Sequence, residues 1–289
     1  MGLIDQQNRM KALSALEAEQ VTLTASAQQA DVNNHEYSIL EISLNNEINK
    51  IRSMPSLELR SQYKRDYFLP KWLPYAHDYF KQGVKYQNDV VGYCIIYLFD
   101  VGDFTQALEL ANRAIADGQK LPFHVKRTIP AFVADEIYNW TEHTIRMGES
   151  VQPFFNQVFQ NVAMSWQLME IISAKWFKLA ATLLILSNKK AHAASFDDPE
   201  RLLLAIQLLQ HAYKLNHKAQ VHTLIDRCEM RLKRLQQLGV NLDFYRTPPE
   251  ASSNSQTVGI NIPRVLELLL ASPLSLEEVL EKQGGAINA

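Results

Sequence analysis

A chain of 289 residues with 47% hydrophobic side chains can build one or two packed domains, and ten glycines are too few for a loop-rich β architecture. A formal net charge of −2 excludes a molecule drawn as a whole to DNA or anionic membrane, so any nucleic-acid contact must come from local patches. Cys94 and Cys228 form neither a disulfide framework nor a metal-ligand spacing, and Cys94, on an apolar helix face, reads as a buried reduced thiol.

The first residues, MGLIDQQNRMK, carry no apolar signal-peptide core, and no apolar run has the length of a membrane span. A soluble protein of a reducing cytoplasm is expected. Residues 1–34, rich in Gln, Ala, Ser and Asn, read as a frayed helix or disorder. Tyr37, Leu40, Leu44, Ile48 and Ile51 then recur at three- and four-residue steps, which predicts a helix with a coiled-coil-like seam. That seam packs either on its own core or on neighbouring copies. Residues 1–54 therefore form an N-terminal helical, partly disordered segment and a candidate oligomerisation element. Up to Asn49 it holds seven carboxylates against Arg9 and Lys11, a poor DNA surface.

Residues 55–240 read as a helical-repeat core. Leu57 and Leu59 open a helix carrying Arg60, Lys64 and Arg65. Pro70 and Pro74 around Trp72 predict a tight junction, because each proline restricts the backbone. Residues 89–118 read as a pair of short helices. Val91, Cys94, Ile95 and Leu98 form one apolar face, and Phe104, Ala107, Leu108, Ala111 and Ile115 the other. Between them Gly102 can end a helix, and Asp103 with Gln106 has capping-box spacing. The geometry is of the tetratricopeptide type, and one such hairpin cannot bury its own apolar face.

Residues 119–128 form a basic connecting loop ahead of a helix over 129–147. The stretch 148–153 breaks the chain, and 154–186 predicts two helices dense in Phe and Trp. After a polar link over 188–197, Asp198-Pro199-Glu200 is a helix start with cap, first-turn proline and first-turn acid in order. Leu202, Ala205, Ile206, Leu209, Ala212 and Tyr213 face Val221, Leu224, Ile225, Cys228, Leu232 and Leu235 in a second hairpin. Residues 241–289 read as a linker to Asn261 and two short C-terminal helices, over 262–270 and 275–280. The predicted architecture is all-α, a tetratricopeptide-like array of helical hairpins behind an N-terminal helix.

Catalytic motifs are absent: there is no phosphate-cradling glycine loop and no nucleophile elbow. His211, His217 and His222 stand six and five residues apart, which does not place three imidazoles on one helix face, so no metal is assigned. No cofactor is implied. A nuclease needs clustered carboxylates for divalent metal, and no stretch shows that spacing, although carboxylates distant in sequence could converge.

Charge remains. Between Arg201 and Arg234 seven Lys/Arg stand against Asp226 and Glu229. Arg227, Arg231 and Arg234 recur on one helix face with Lys233 beside them, as either a solvated exterior or a phosphate-binding ridge. Lys64, Arg65 and Lys71 make a second cluster, and Lys126 with Arg127 a third. Such patches position DNA without reading its sequence.

Four motifs occur in order: Leu69-Pro70-x-Trp72-Leu73-Pro74; Gly102-Asp103 with Ala107-Leu108-Glu109-x-Ala111; His124-x-x-Arg127-Thr128-x-Pro130; and Gly148-Glu149-Ser150-Val151. Together they resemble the small terminase subunit of peduovirus-type tailed phages, often labelled the terminase endonuclease subunit. The similarity extends more loosely to about Leu235. The resemblance implies a protein of the host cytoplasm that binds a packaging start site, a cohesive-end site, on concatemeric double-stranded phage DNA. It further implies a homo-oligomer that delivers this DNA to the large terminase subunit, an ATPase and nuclease. The lack of a nuclease motif points to cutting by the large subunit and a directing, non-catalytic role here.

Residues 241–289 depart from the basic tail of such relatives, with six acids against three bases. Leu266, Leu269, Leu270, Leu276 and Leu280 either dock a groove on the large subunit or fold back onto the body. Two further classes stay open on sequence alone: a tetratricopeptide-like adaptor that binds only proteins, and a metal-dependent nuclease.

Overall fold

A computed structural model describes residues 39–83, 85–187, 190–191, 196–242, 245 and 259–271. The frayed helix expected over residues 1–34 and the helix expected over 275–280 lie outside them. The described chain is helical but for one two-residue β ladder, in which β1 (Leu186–Ser187) pairs antiparallel with β2 (Lys190–Ala191). It divides into two compact units, Met1–Val101 and Gly102–Ala289. The division falls between the two helices read as the first hairpin. The connection keeps its expected chemistry: Gly102 has φ 82°, and Asp103 accepts from the Gln106 N–H at 3.1 Å while the Gln106 amide returns to its carboxylate at 2.6 Å.

In the first unit α1 (39–53) is followed by α2 (Leu57–Tyr63), a π-helical turn (Lys64–Phe68), α3 (Leu69–Tyr79) and α4 (Asp89–Val101). Leu44, Ile48 and Ile51 of the α1 seam are buried within the chain itself, whereas Ile39 and Ile42 on the same helix are exposed. Glu47 ties α1 to its neighbours, accepting from the Tyr63 hydroxyl at 2.6 Å and Lys71 Nζ at 3.1 Å. The core is aromatic. Phe68 and Trp72 are buried, and Phe68 meets Tyr97 edge-on at 4.7 Å. The Tyr79 hydroxyl donates to the Tyr86 carbonyl at 2.9 Å and accepts from its N–H, pinning the connection into α4.

The junction expected at Pro70 and Pro74 is not a break. The chain is helical from Leu57 to Tyr79, with Pro70 accommodated by a widened turn and Pro74 inside α3. Pro70 has no N–H for the Asp66 carbonyl, and its ring would crowd that carbonyl. Instead the Leu69 N–H bonds to the Lys64 carbonyl, the π pattern.

The second unit packs each helix on the next in chain order: α5 (Phe104–Asp117), α6 (Ile129–Met147), α7 (Phe154–Met164), α8 (Glu170–Leu184), α9 (Pro199–Leu215) and α10 (His222–Gln237). This serial pairing is compatible with the predicted hairpin array. The most extensive packing is between α8 and α9, on which Ala180, Ala181, Ala205 and Ala212 are fully buried. Trp176 stacks on Phe155 at 5.2 Å, and Phe177 meets Phe159 at 5.6 Å. Asp198 caps α9 through the Arg201 N–H at 3.1 Å, as its motif predicts.

The last described helix, α11 (Ile262–Leu270), returns onto α7, α8 and α9. Asn156 donates to the Leu266 carbonyl at 2.9 Å and Arg201 to the Leu268 carbonyl at 2.9 Å. For this patch the fold-back arrangement is the one observed. No helix among the described residues is long and apolar enough to cross a membrane.

Candidate nucleic-acid interface

The three cation clusters do not survive equally. In the first unit Lys64, on the π turn, is only 13% exposed; its Nζ sits 2.6 Å from Asp100 and 4.6 Å from the Tyr97 ring centre. It is a partner inside the fold and has no free charge to offer a phosphate, which corrects its place in the cluster. Lys71 is half-committed, paired with Glu47 at 3.1 Å and lying over the Trp72 ring, yet still exposed. Arg65 is exposed, with no ion pair among the described residues.

The loop between α5 and α6 carries the second patch. Gly118 closes α5 in the left-handed conformation, and Thr128 caps α6 through the Ala131 N–H at 3.3 Å. Lys126 and Arg127 stand exposed between these two stops. Arg127 is braced by Asp135 of α6 at 3.1 Å, a pair that orients the guanidinium while leaving it 57% exposed. Residues 119–128 contain no Asp or Glu, so nothing in the loop's own sequence offsets Lys126 and Arg127. Phe123, at the tip, is 97% exposed.

The third patch lies on α10. This helix buries Cys228, Leu232 and Leu235, and Arg231 sits at the edge of that face. Its Nε donates to the Phe196 carbonyl at 2.9 Å, and a second nitrogen reaches the Asp197 carboxylate. Arg231 is therefore an internal clamp between α10 and the chain ahead of α9, not a member of the outer ridge. The cause is geometric: spacing of three and four puts three arginines on one side without saying how far that side is rotated from the buried stripe. Arg227, Lys233 and Arg234 remain exposed, with no ion pair among the described residues. Arg227 and Arg234 are two turns apart, about 10 Å along the axis.

The histidines serve packing. His211 lies against Phe177 at 4.4 Å, and burial holds its pKa below the ordinary imidazole value. His217 and His222 flank Tyr213 at 4.8 and 4.5 Å. Among the described residues no three His, Cys, Asp or Glu side chains converge as a metal would require.

Of the five leucines, Leu269 is buried at 3% exposure against the body, which removes it from a docking face. Leu266 is half-buried and Leu270 is 60% exposed. Leu276 and Leu280 lie outside the described residues.

Comparison with known proteins gives the family of this helical scaffold with its exposed cation patches. The chain belongs to the family of phage small terminase subunits. Residues 41–171 match the model of the family described as phage small terminase subunit, and this segment contains all four motifs. A protein of Haemophilus phage HP1, described as a probable terminase, endonuclease subunit, is 45% identical over 281 residues, spanning 96% of this chain and 99% of that protein. The terminase, endonuclease subunit of Escherichia phage P2 is 26% identical over 183 residues, 63% of this chain and 69% of its own. No solved structure matches. The role of the chain therefore lies in phage DNA packaging.

Proposed function

We propose that this subunit binds the packaging start site on concatemeric double-stranded phage DNA in the host cytoplasm and directs the large terminase subunit to it. The observation that carries this reading is the set of exposed cations, Lys126, Arg127, Arg227, Lys233 and Arg234, on a second unit whose other basic groups include Arg201, Arg231 and Arg264, all engaged internally. A chain of net charge −2 offers few phosphate contacts, so the reading requires several copies in one assembly. Repetition around an oligomer converts weak single contacts into adequate avidity. Exposed Ile39 and Ile42 on α1 supply apolar surface for such contacts between copies.

The relatives are described as endonuclease subunits. In this reading strand cleavage belongs to the large subunit, and Leu270 with Leu276 and Leu280 contributes to the contact with it.

The test is fluorescence anisotropy with a duplex spanning the packaging start site, titrated with the full chain across a salt series. Tight binding at low salt that weakens steeply as salt rises supports DNA recognition. Failure to bind at low salt, with capture of the large subunit intact, would leave the adaptor reading. Nicking of that duplex by the purified chain with magnesium or manganese alone would overturn the assignment of cleavage.

A further inference from the structure

The tip of the loop between α5 and α6 is built differently from the rest of the surface. Phe123 is 97% exposed, the most exposed large apolar side chain among the described residues, and it has no ring contact there. A single exposed apolar side chain is ordinary on a protein surface; what marks this one is its place on an anchored turn beside an apolar groove and two cations. The ring does not sit on a loose excursion. The Val125 N–H bonds to the Pro122 carbonyl at 2.8 Å, a turn with Phe123 and His124 at its apex. Leu121 and Pro122 are buried on one side of the turn and Ile129 on the other, so both roots are anchored in the core. Beside the turn runs a groove of about 680 Å³, lined by Ile115, Leu121, Val125 and Trp166 together with Lys126 and Arg127.

A rigid tip that presents an aromatic ring beside two cations, with no acid in the loop, matches one kind of partner. Phosphates flank a stack of apolar base faces in a duplex, and cations flank an apolar face here. Apolar side chains inserted at a base step partly unstack it and kink the helix, and this is easiest at flexible pyrimidine–purine steps. We propose that Phe123 is a wedge that enters a base step of the bound duplex while Lys126 and Arg127 hold the neighbouring phosphates. The wedge gives the subunit a preference for deformable sequence without hydrogen bonds to base edges. This inference rests on the reading of the chain as a DNA-binding subunit and adds the contact through which a site is selected.

The experiment pairs anisotropy with 2-aminopurine emission, using the full chain and duplexes of the packaging start region that carry the probe at successive steps. The wild-type chain raises emission at one step or a few adjacent ones. Phe123→Ala abolishes that rise and weakens binding roughly tenfold, the scale of one aromatic–base stack, while the salt slope stays unchanged. Phe123→Trp keeps the rise. Lys126→Ala with Arg127→Ala gives the converse, a shallower salt slope. Wild-type binding with Phe123→Ala indistinguishable in affinity and emission would overturn the wedge alone. So would loss of large-subunit capture by Phe123→Ala with DNA binding intact, because the ring would then face protein. A wild-type chain that fails to bind the duplex at low salt would overturn the wedge and the DNA-binding reading together.

Discussion

Arg264 closes on Glu200 through two parallel hydrogen bonds, Nε to Oε1 at 2.7 Å and Nη2 to Oε2 at 2.8 Å. The pair joins the first turn of α11 to the first turn of α9, and a further ion pair with Glu267 at 2.8 Å holds the guanidinium in place. The bidentate fork fixes orientation as well as charge. It explains how the short helix α11 is seated on α9.

This clasp sets a pH dependence. The Arg264 hydrogen bonds hold the Glu200 carboxyl below its ordinary range, against the opposing effect of burial. A carboxylate whose folded pKa is depressed contributes stability above its unfolded value, near 4.3, and loses it as pH falls through the folded value. Glu200→Gln should therefore destabilise by roughly 1 kcal/mol at neutral pH, since the pair is partly exposed. The difference from wild type should shrink as pH falls below the ordinary carboxylate range and through the lowered Glu200 value. Urea unfolding at several pH values measures both.

Arg231 and Arg234 stand on adjacent turns of α10 and should behave oppositely. Arg231→Ala removes the bond to the Phe196 carbonyl and the Asp197 pair, so it should cost about 1 to 3 kcal/mol of stability and leave the salt slope of DNA binding unchanged. Arg234→Ala should be within about 0.5 kcal/mol of wild type in stability and make that slope shallower. Thermal melts beside anisotropy titrations separate the two roles.

The aromatic stack between α7 and α8 should dominate the stability of the second unit. Phe155 and Trp176 are both fully buried and in contact. Phe155→Ala should cost about 3 to 5 kcal/mol, while Phe155→Leu, which retains much of the volume, should cost less. Chemical denaturation monitored by tryptophan fluorescence checks the order.

Both thiols should be silent in the native protein. Burial raises the Cys94 thiol far above its ordinary value and pushes Cys228 up to about 11, so neither is a thiolate at neutral pH. A thiol reagent such as DTNB should react with both only after denaturant is added. Rapid labelling of the native chain would contradict this packing.

Much of the fold was legible because helix ends carry local chemistry. Asp103 with Gln106 and Asp198 with Pro199 cap the helices their spacing predicts, and most of the apolar stripe of α9 is buried, with Cys228, Leu232 and Leu235 of α10. Pro70 and Pro74 misled, because proline forbids one hydrogen bond rather than a helix: a π turn accommodates Pro70, and Pro74 lies inside α3. The site was less legible. Lys64 and Arg231 are cations in sequence, but their partners Asp100 and Asp197 lie 36 and 34 residues away, a pairing that only the folded chain brings about. Phe123 stood in plain view within LPFHVKRT. Its exposure depends on a turn whose flanking residues, Leu121 and Pro122, are the buried ones.

The most direct test is the slope of log K against log salt for the packaging-site duplex, compared between the wild-type chain and the triple variant Arg227→Ala, Lys233→Ala, Arg234→Ala. Phosphate binding by these side chains predicts a steep wild-type slope, reduced in the variant by roughly 0.9 for each phosphate that is no longer neutralised. Identical slopes for two equally well-folded proteins would contradict the assignment of α10 as a DNA-binding face.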